Sequence, residues 1–262
     1  MTTRGNPMNH AMILRRLLVA VVLVGATGAV AATDVVVAPL QLRGLDPAQY
    51  LQRRNRTPEL SGELAALPTE TLLKILKDDV AVAWAADDAY GAMKPAERAA
   101  WRQKERRALK QGALAVLAKR DDAGLADAFV AVLDDIDVKV AAAAAERLGA
   151  RPGREALLAG IALDEARPID VRAAACAGLG AQRSDQAVAA LVDVVAGTGG
   201  DALRLSALTA LEQATSRWAF EARGDVATGA ALRARAVTAL QALALEGEVA
   251  ARREVVVKRL AD

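Results

Sequence analysis

One ten-residue pattern returns five times at nearly constant spacing, and it constrains the fold more than any other feature of the chain. The copy at Val171 reads V-R-A-A-A-C-A-G-L-G. Related runs begin at Leu109 (L-K-Q-G-A-L-A-V-L-A), Val140 (V-A-A-A-A-A-E-R-L-G), Leu203 (L-R-L-S-A-L-T-A-L-E) and Leu232 (L-R-A-R-A-V-T-A-L-Q). The intervals are 31, 31, 32 and 29 residues. The first position is always Val or Leu, the fifth always Ala (113, 144, 175, 207, 236) and the ninth always Leu (117, 148, 179, 211, 240). Positions one, five, eight and nine share one face of a helix. Large residues bound the buried stripe, and the small one between them lets a neighbouring helix come close.

A second set of apolar runs alternates with the first: Leu125–Leu133, Ala156–Leu163 and Ala187–Val195. Each precedes a short polar turn. Gly149 and Gly180 sit where a left-handed C-terminal cap is expected, and Arg151-Pro-Gly153 breaks the chain between pairs. Ser184 and Asp201 read as N-caps, and Pro168 suits a first helical turn. The unit is therefore helix, turn, helix, about 31 residues long. Ala supplies about a quarter of the chain and aromatics only 3%. That favours closely approaching helices over sheets, which draw on β-branched and aromatic residues.

The V-R-x-x-A-A-x-A-L-G pattern resembles bacterial HEAT repeats, including the subgroup named after phycobilisome lyases. Val171, Arg172, Ala175, Leu179 and Gly180 match it best, and the Leu109 and Leu232 copies match loosely. The resemblance covers about residues 109 to 245. It implies an all-α fold, a right-handed α-solenoid of stacked helical hairpins, with the second helix of each pair lining the concave side.

Residues 1–31 read as a signal peptide. Arg4, Arg15 and Arg16 precede the apolar run Leu17–Val30, and Ala29-Val30-Ala31 is a small-x-small cleavage site. The alternative is a retained membrane anchor. Of the 34 Lys+Arg, three lie in this segment with no acid, so 31 basic residues face 32 acidic ones in the rest. Export thus removes the electrostatic case for nucleic acid, and with it His10, the one histidine. Residues 32–66 read as an extended arm or linker. Residues 67–122 read as an irregular helical cap that contains the first repeat match. Within it Thr71–Tyr90 reads as a helical pair broken near Asp78-Asp79, and Pro95–Lys119 as one long helix. Residues 123–245 carry the repeats, and 246–262 form a charged closing helix. Polar terminal caps are expected where a repeat stack ends.

Lys110, Arg172, Arg204 and Arg233 occupy the second repeat position, with Ala141 the exception. They are the candidate partner-binding residues. One reading is a groove for an acidic protein segment. The other, which the resemblance favours, is a ladder of side chains pairing with turn acids such as Asp137, Asp170 and Asp201. Arg98 to Lys110 around Trp101 forms a basic segment, read as a solvated face with i,i+4 pairs, the alternative being a surface for nucleic acid or an anionic membrane. Cys176 holds the sixth repeat position, apolar in the other copies, and reads as core. Trp84, Tyr90, Trp101 and Trp218 are read as core plugs of the caps, the alternative being that one of them anchors a partner.

These observations define a function class. No Ser-His-Asp arrangement, His/Cys metal set, phosphate-binding glycine loop or dinucleotide fingerprint is present in the sequence. The expectation is a periplasmic or secreted scaffold or adaptor that binds a protein partner, without cofactor, metal or catalysis. The alternatives are a structural subunit of an envelope complex and a lyase-like enzyme of the HEAT-repeat family.

Overall fold

The 31-residue period is built as alternating helices. The computed structural model describes residues 40–42, 64–80, 82–84, 94–122 and 124–262. All of these fall in the unit Ala38–Asp262. The expected signal segment, 1–31, and Tyr90 lie outside the described residues. After α1 (Thr69–Leu76) and the long α2 (Pro95–Leu117) come α3 (Leu125–Val132), α4 (Val138–Leu148), α5 (Glu155–Leu163) and α6 (Ile169–Gln182). Then follow α7 (Asp185–Ala196), α8 (Asp201–Ala214), the short α9 (Arg217–Glu221), α10 (Val226–Gln241) and α11 (Gly247–Ala261). The remaining regular structure among the described residues is one parallel pair of three-residue strands, β1 (Leu40–Leu42) and β2 (Val82–Trp84).

Local signals account for most of the boundaries. Pro95 opens α2 with a fixed φ and no N–H to leave unpaired, while the Lys94 N–H donates to the Glu97 carboxylate at 3.0 Å. Asp137 caps α4 by accepting from Lys139 N at 3.0 Å, and Ser184 caps α7 by accepting from Ala187 N at 3.2 Å. Pro168 immediately precedes α6. Two expectations about caps are corrected. Gly200, not Asp201, is the N-cap of α8, and Asp201 is its first residue, where its charge suits the helix dipole. Gly149 ends α4 in right-handed conformation, and Gly180 lies inside α6. The left-handed residue that ends α6 is Arg183, at φ 54°.

The two glycines answer a different need. A Cβ on Gly180 would lie 2.9 Å from the Ala210 carbonyl of α8, and one on Gly149 would run into the backbone of Gly178 in α6. They are contact points where helix backbones approach, and neither needs a left-handed conformation.

The helices pack on their neighbours in a regular way. α3 packs on α4, α5 on α6, α7 on α8 and α10 on α11. In addition α2, α4, α6, α8 and α11 pack each on the next, and so do α5, α7 and α10. The fifth repeat copy, at Leu232, therefore does not follow the other four. They lie in α2, α4, α6 and α8, whereas Leu232 lies in α10, which packs on α7. The insertion of α9 shifts the register. Phe220 of α9 lies where a Cβ on Gly229 would be, 2.6 Å from its Cγ, so α10 receives the inserted helix on a glycine. The charged closing helix, α11, takes the place beside α8.

The repeated residues form the core. Positions one, five and nine are buried in every copy. Position six is fully buried in the first four, as Leu114, Ala145, Cys176 and Leu208. The buried arc is wider than one stripe because α4, α6 and α8 are each covered by a hairpin partner and by a helix on either side, and α2 by α1 and α4.

The N-terminal reading needs a further correction. Of the helical pair expected over Thr71–Tyr90, the described residues give the end of one helix and a strand at Val82–Trp84, and residues 81 and 85–90 lie outside the described residues. α1 ends near Asp78, which adopts a left-handed φ of 58°, and the β-branched and aromatic run that follows pairs as β2 with β1. Leu64 is fully buried, so the end of the expected arm belongs to the core.

Candidate functional site

Arg172 and Arg204 emerge at the start of their helices, each beside the last turn of the preceding helix, whereas Arg233 lies midway along α10 and reaches the C-cap of α8. There the backbone carbonyls have no partner within their own helix. Arg172, 9% exposed, donates from Nε to the Ala162 carbonyl at 2.9 Å. Arg204 donates to the Val195 carbonyl at 2.8 Å and lies 3.8 Å from Asp201. Arg233 donates to the Thr215 carbonyl at 3.4 Å. The turn acids are thus secondary partners, and the main work of these cations is at helix C-termini, where the dipole also favours positive charge.

Lys110 differs. Its Nζ lies 2.7 Å from both Asp78 Oδ2 and Asp135 Oδ2, with only 2% of the residue exposed. Arg106 bridges the same two carboxylates at 2.7 Å and 3.0 Å. Arg107 meets Asp137 at 2.7 Å. Arg106, Arg107 and Lys110 of α2 are therefore paired to other elements. Burial alone would raise the Asp78 and Asp135 carboxyls, but the hydrogen bonds from Arg106 and Lys110 outweigh it and hold both below the usual range. The Asp137 N–H adds to this at Asp135.

A second ladder escaped the sequence reading. Arg120, Arg151 and Gln182 stand three positions after the ninth-position Leu of their copies, 31 residues apart. Arg120 donates to the Leu67 carbonyl at 2.6 Å. Arg151 donates to the Leu117 carbonyl at 3.0 Å and to that of Arg120. Gln182 donates to the Gly149 and Arg151 carbonyls at 2.8 Å and 2.7 Å. Arg151 and Gln182 close carbonyls of the repeat before their own, and Arg120 closes one just ahead of α1. Extending the alignment past ten positions reveals the signal: a long donor at the same spacing.

An open groove of about 480 Å³ crosses α2, α4, α6 and α8 at their C-terminal ends. Ala115, Ala118, Ala150, Ala177 and Ala181 form its apolar part, and Lys119, Glu146, Arg147 and Gln213 its polar part. None of the four second-position residues lines it.

Cys176 is fully buried. Burial pushes its thiol up to about 12, against the opposing charge of Arg172, so the thiolate needed for nucleophilic or metal chemistry is scarce at neutral pH. Trp101 is buried, as expected of a cap. Trp218 is 76% exposed and corrects the expectation that it is core: α9 turns Ala219 and Phe220 inward instead. Among the described residues no three His, Cys, Asp or Glu side chains gather closely enough to hold a metal ion, and no helix is long and apolar enough to cross a membrane.

No family model matches the chain, and no curated protein or solved structure is significantly similar to it.

Proposed function

We propose that this chain is an exported helical-repeat scaffold of the HEAT type, a right-handed α-solenoid that holds one helix of a partner protein without acting on it chemically. The groove across α2, α4, α6 and α8 carries the reading. Small side chains from successive helices let a ligand backbone approach as closely as the protein's own helices approach one another, and the polar residues beside them offer charge and hydrogen bonds to fix register. In this reading α2, α4, α6, α8 and α11 line the concave side. Repeat stacks present such a surface on a scaffold built from nearest-neighbour contacts. Lys110, Arg172, Arg204 and Arg233 support the groove by bracing the helices that form it.

The test places a photoactivatable residue at Ala150, which is exposed in the groove, and at Gly160 on α5, where a side chain meets open space. Irradiation in an envelope extract of the source organism is expected to give one crosslinked protein from position 150 and none from 160. Ala181→Trp, which fills the groove, is expected to abolish that product. Equal labelling from both positions, or no product from 150, overturns the reading. The mass of the envelope-associated protein tests export: cleavage after Ala31 is the expected result.

A further inference from the structure

The helix-to-helix turns form an edge away from the groove, and one cleft there has a chemistry of its own. It holds about 390 Å³ between the turn that joins α3 to α4 and the turn that joins α5 to α6. Leu133, Val138, Ala141 and Val171 give it apolar walls.

Ile136 is the tip of the first turn and is 91% exposed. A lone exposed aliphatic is ordinary, but this one is held in place from both sides. Asp135, on one flank, is pinned by Lys110 and Arg106. Asp137, on the other, is pinned by Arg107 and by the Lys139 N–H. The β-branched side chain adds stiffness at χ1. Two more exposed aliphatics, Leu163 at 44% and Ile169 at 47%, bound the second turn. An apolar surface that is already rigid binds with less entropic loss.

The exposed charge around it is mainly acidic. Asp134, Asp164, Glu165 and Asp170 are exposed along these turns. Arg167 is the cation between them and is spent internally, 3.1 Å from Asp134 and 3.4 Å from Asp164, with a further hydrogen bond to the Leu133 carbonyl at 3.2 Å. Lys139 is the other exposed cation nearby. An acidic rim around apolar side chains repels nucleic acid and anionic membrane and is complementary to lysine and arginine.

We infer that this edge is a second docking surface, which takes a basic segment of a partner protein bearing an aliphatic or aromatic anchor. The anchor packs against Ile136 and the cleft, and flanking Lys or Arg meets Asp134 and Asp164. The surface is separate from the groove, and its existence does not depend on the groove being occupied.

The probe is a displayed library of random twelve-residue peptides, selected on the full chain at physiological salt. Enriched peptides are expected to combine Lys or Arg with Leu, Ile or Phe. Their affinity is expected to fall at least tenfold with Ile136→Ser and with the double variant Asp134→Asn, Asp164→Asn, and to be unchanged by Ala181→Trp in the groove. The substituted side chains are exposed, and Asn at 164 keeps the acceptor used by Ala166 N at 3.0 Å. Unaltered circular dichroism confirms that folding is kept. Enrichment of acidic or neutral peptides, binding unaffected by Ile136→Ser, absence of any enriched peptide, or self-association of the chain through this edge would each overturn the inference. Loss of binding with Ala181→Trp alone would also overturn it while favouring the groove.

Discussion

Gly149 and Gly178 meet backbone to backbone: a Cβ built on Gly149 would lie 2.3 Å from the Gly178 Cα. Both φ values are ordinary for helices, so conformational freedom is not the reason for glycine at 149. Gly149→Ala is expected to destabilise the protein by about 1–3 kcal/mol through overpacking. Gly160→Ala is the control. That position is helical and exposed, with no neighbouring atom within 4 Å of a Cβ, and alanine there is expected to stabilise by about 0.5–1 kcal/mol. Urea unfolding of the two variants should move the midpoint in opposite directions.

The two ladders differ in what they fasten. Arg172 joins the helices of one hairpin, and its removal leaves the Ala162 carbonyl unpaired in a buried place. Arg172→Ala is expected to cost about 2–3 kcal/mol, counting the charge-assisted bond. Gln182 joins successive repeats, and Gln182→Ala is expected to cost about 1–2 kcal/mol for two neutral bonds. Chemical denaturation measures both. A cost for Arg172→Ala no larger than that of an exposed residue would show that water satisfies the carbonyl.

The Lys110, Arg106, Asp78 and Asp135 network makes stability depend on pH. Both carboxyls have folded pKa values below their ordinary one, so the unfolded chain binds protons more readily. Their contribution is present above about pH 4 and is lost as pH falls through the depressed folded values. Asp135→Asn is expected to lower stability at neutral pH and to flatten the acid limb of the stability curve. Lys110→Met removes a buried partner of Asp135 and is expected to cost about 3 kcal/mol, the low end for a broken buried pair, because Arg106 still faces both carboxylates. Melting temperatures between pH 3 and pH 7 report each effect.

Cys176 should be silent in the folded protein. Its thiol is pushed up to about 12 and shielded from solvent. A thiol reagent at pH 8 is expected to label it only on unfolding, with a rate that follows urea concentration. Fast labelling of native protein would place the side chain at the surface.

The helical period, the hairpin unit and the buried Val, Leu and Ala positions were legible in the residues, because a helix advertises its covered face at i, i+4 and i+8. The long helix α2 was legible from Pro95 and the unbroken run behind it. The strand pair was not: three residues of β2 make too short a run to overrule a helical reading of their surroundings, and β1 lies about forty residues away.

The candidate site was legible only in part. Side-chain charge is written in the sequence, and so the second-position row was visible. Its partners are mostly backbone carbonyls at helix ends, and every residue carries a carbonyl, so no residue type marks which ones lack partners. The alanine-lined groove was hidden for a related reason. Alanines facing a neighbour and alanines facing solvent spell the same stripe.

What the sequence by itself determined is a chain of amphipathic hairpins about 31 residues long, each too small to bury its apolar face alone. What only the tertiary structure decided is how those faces pair. The Leu232 copy has the same apolar spacing as its four relatives, yet it packs beside α7 and leaves the place next to α8 to α11, because α9 is inserted ahead of it. Periodicity fixes which side of a helix is covered. The neighbour that covers it depends on the length and docking of the segments between, and in this protein a five-residue helix seated on Gly229 changes the outcome.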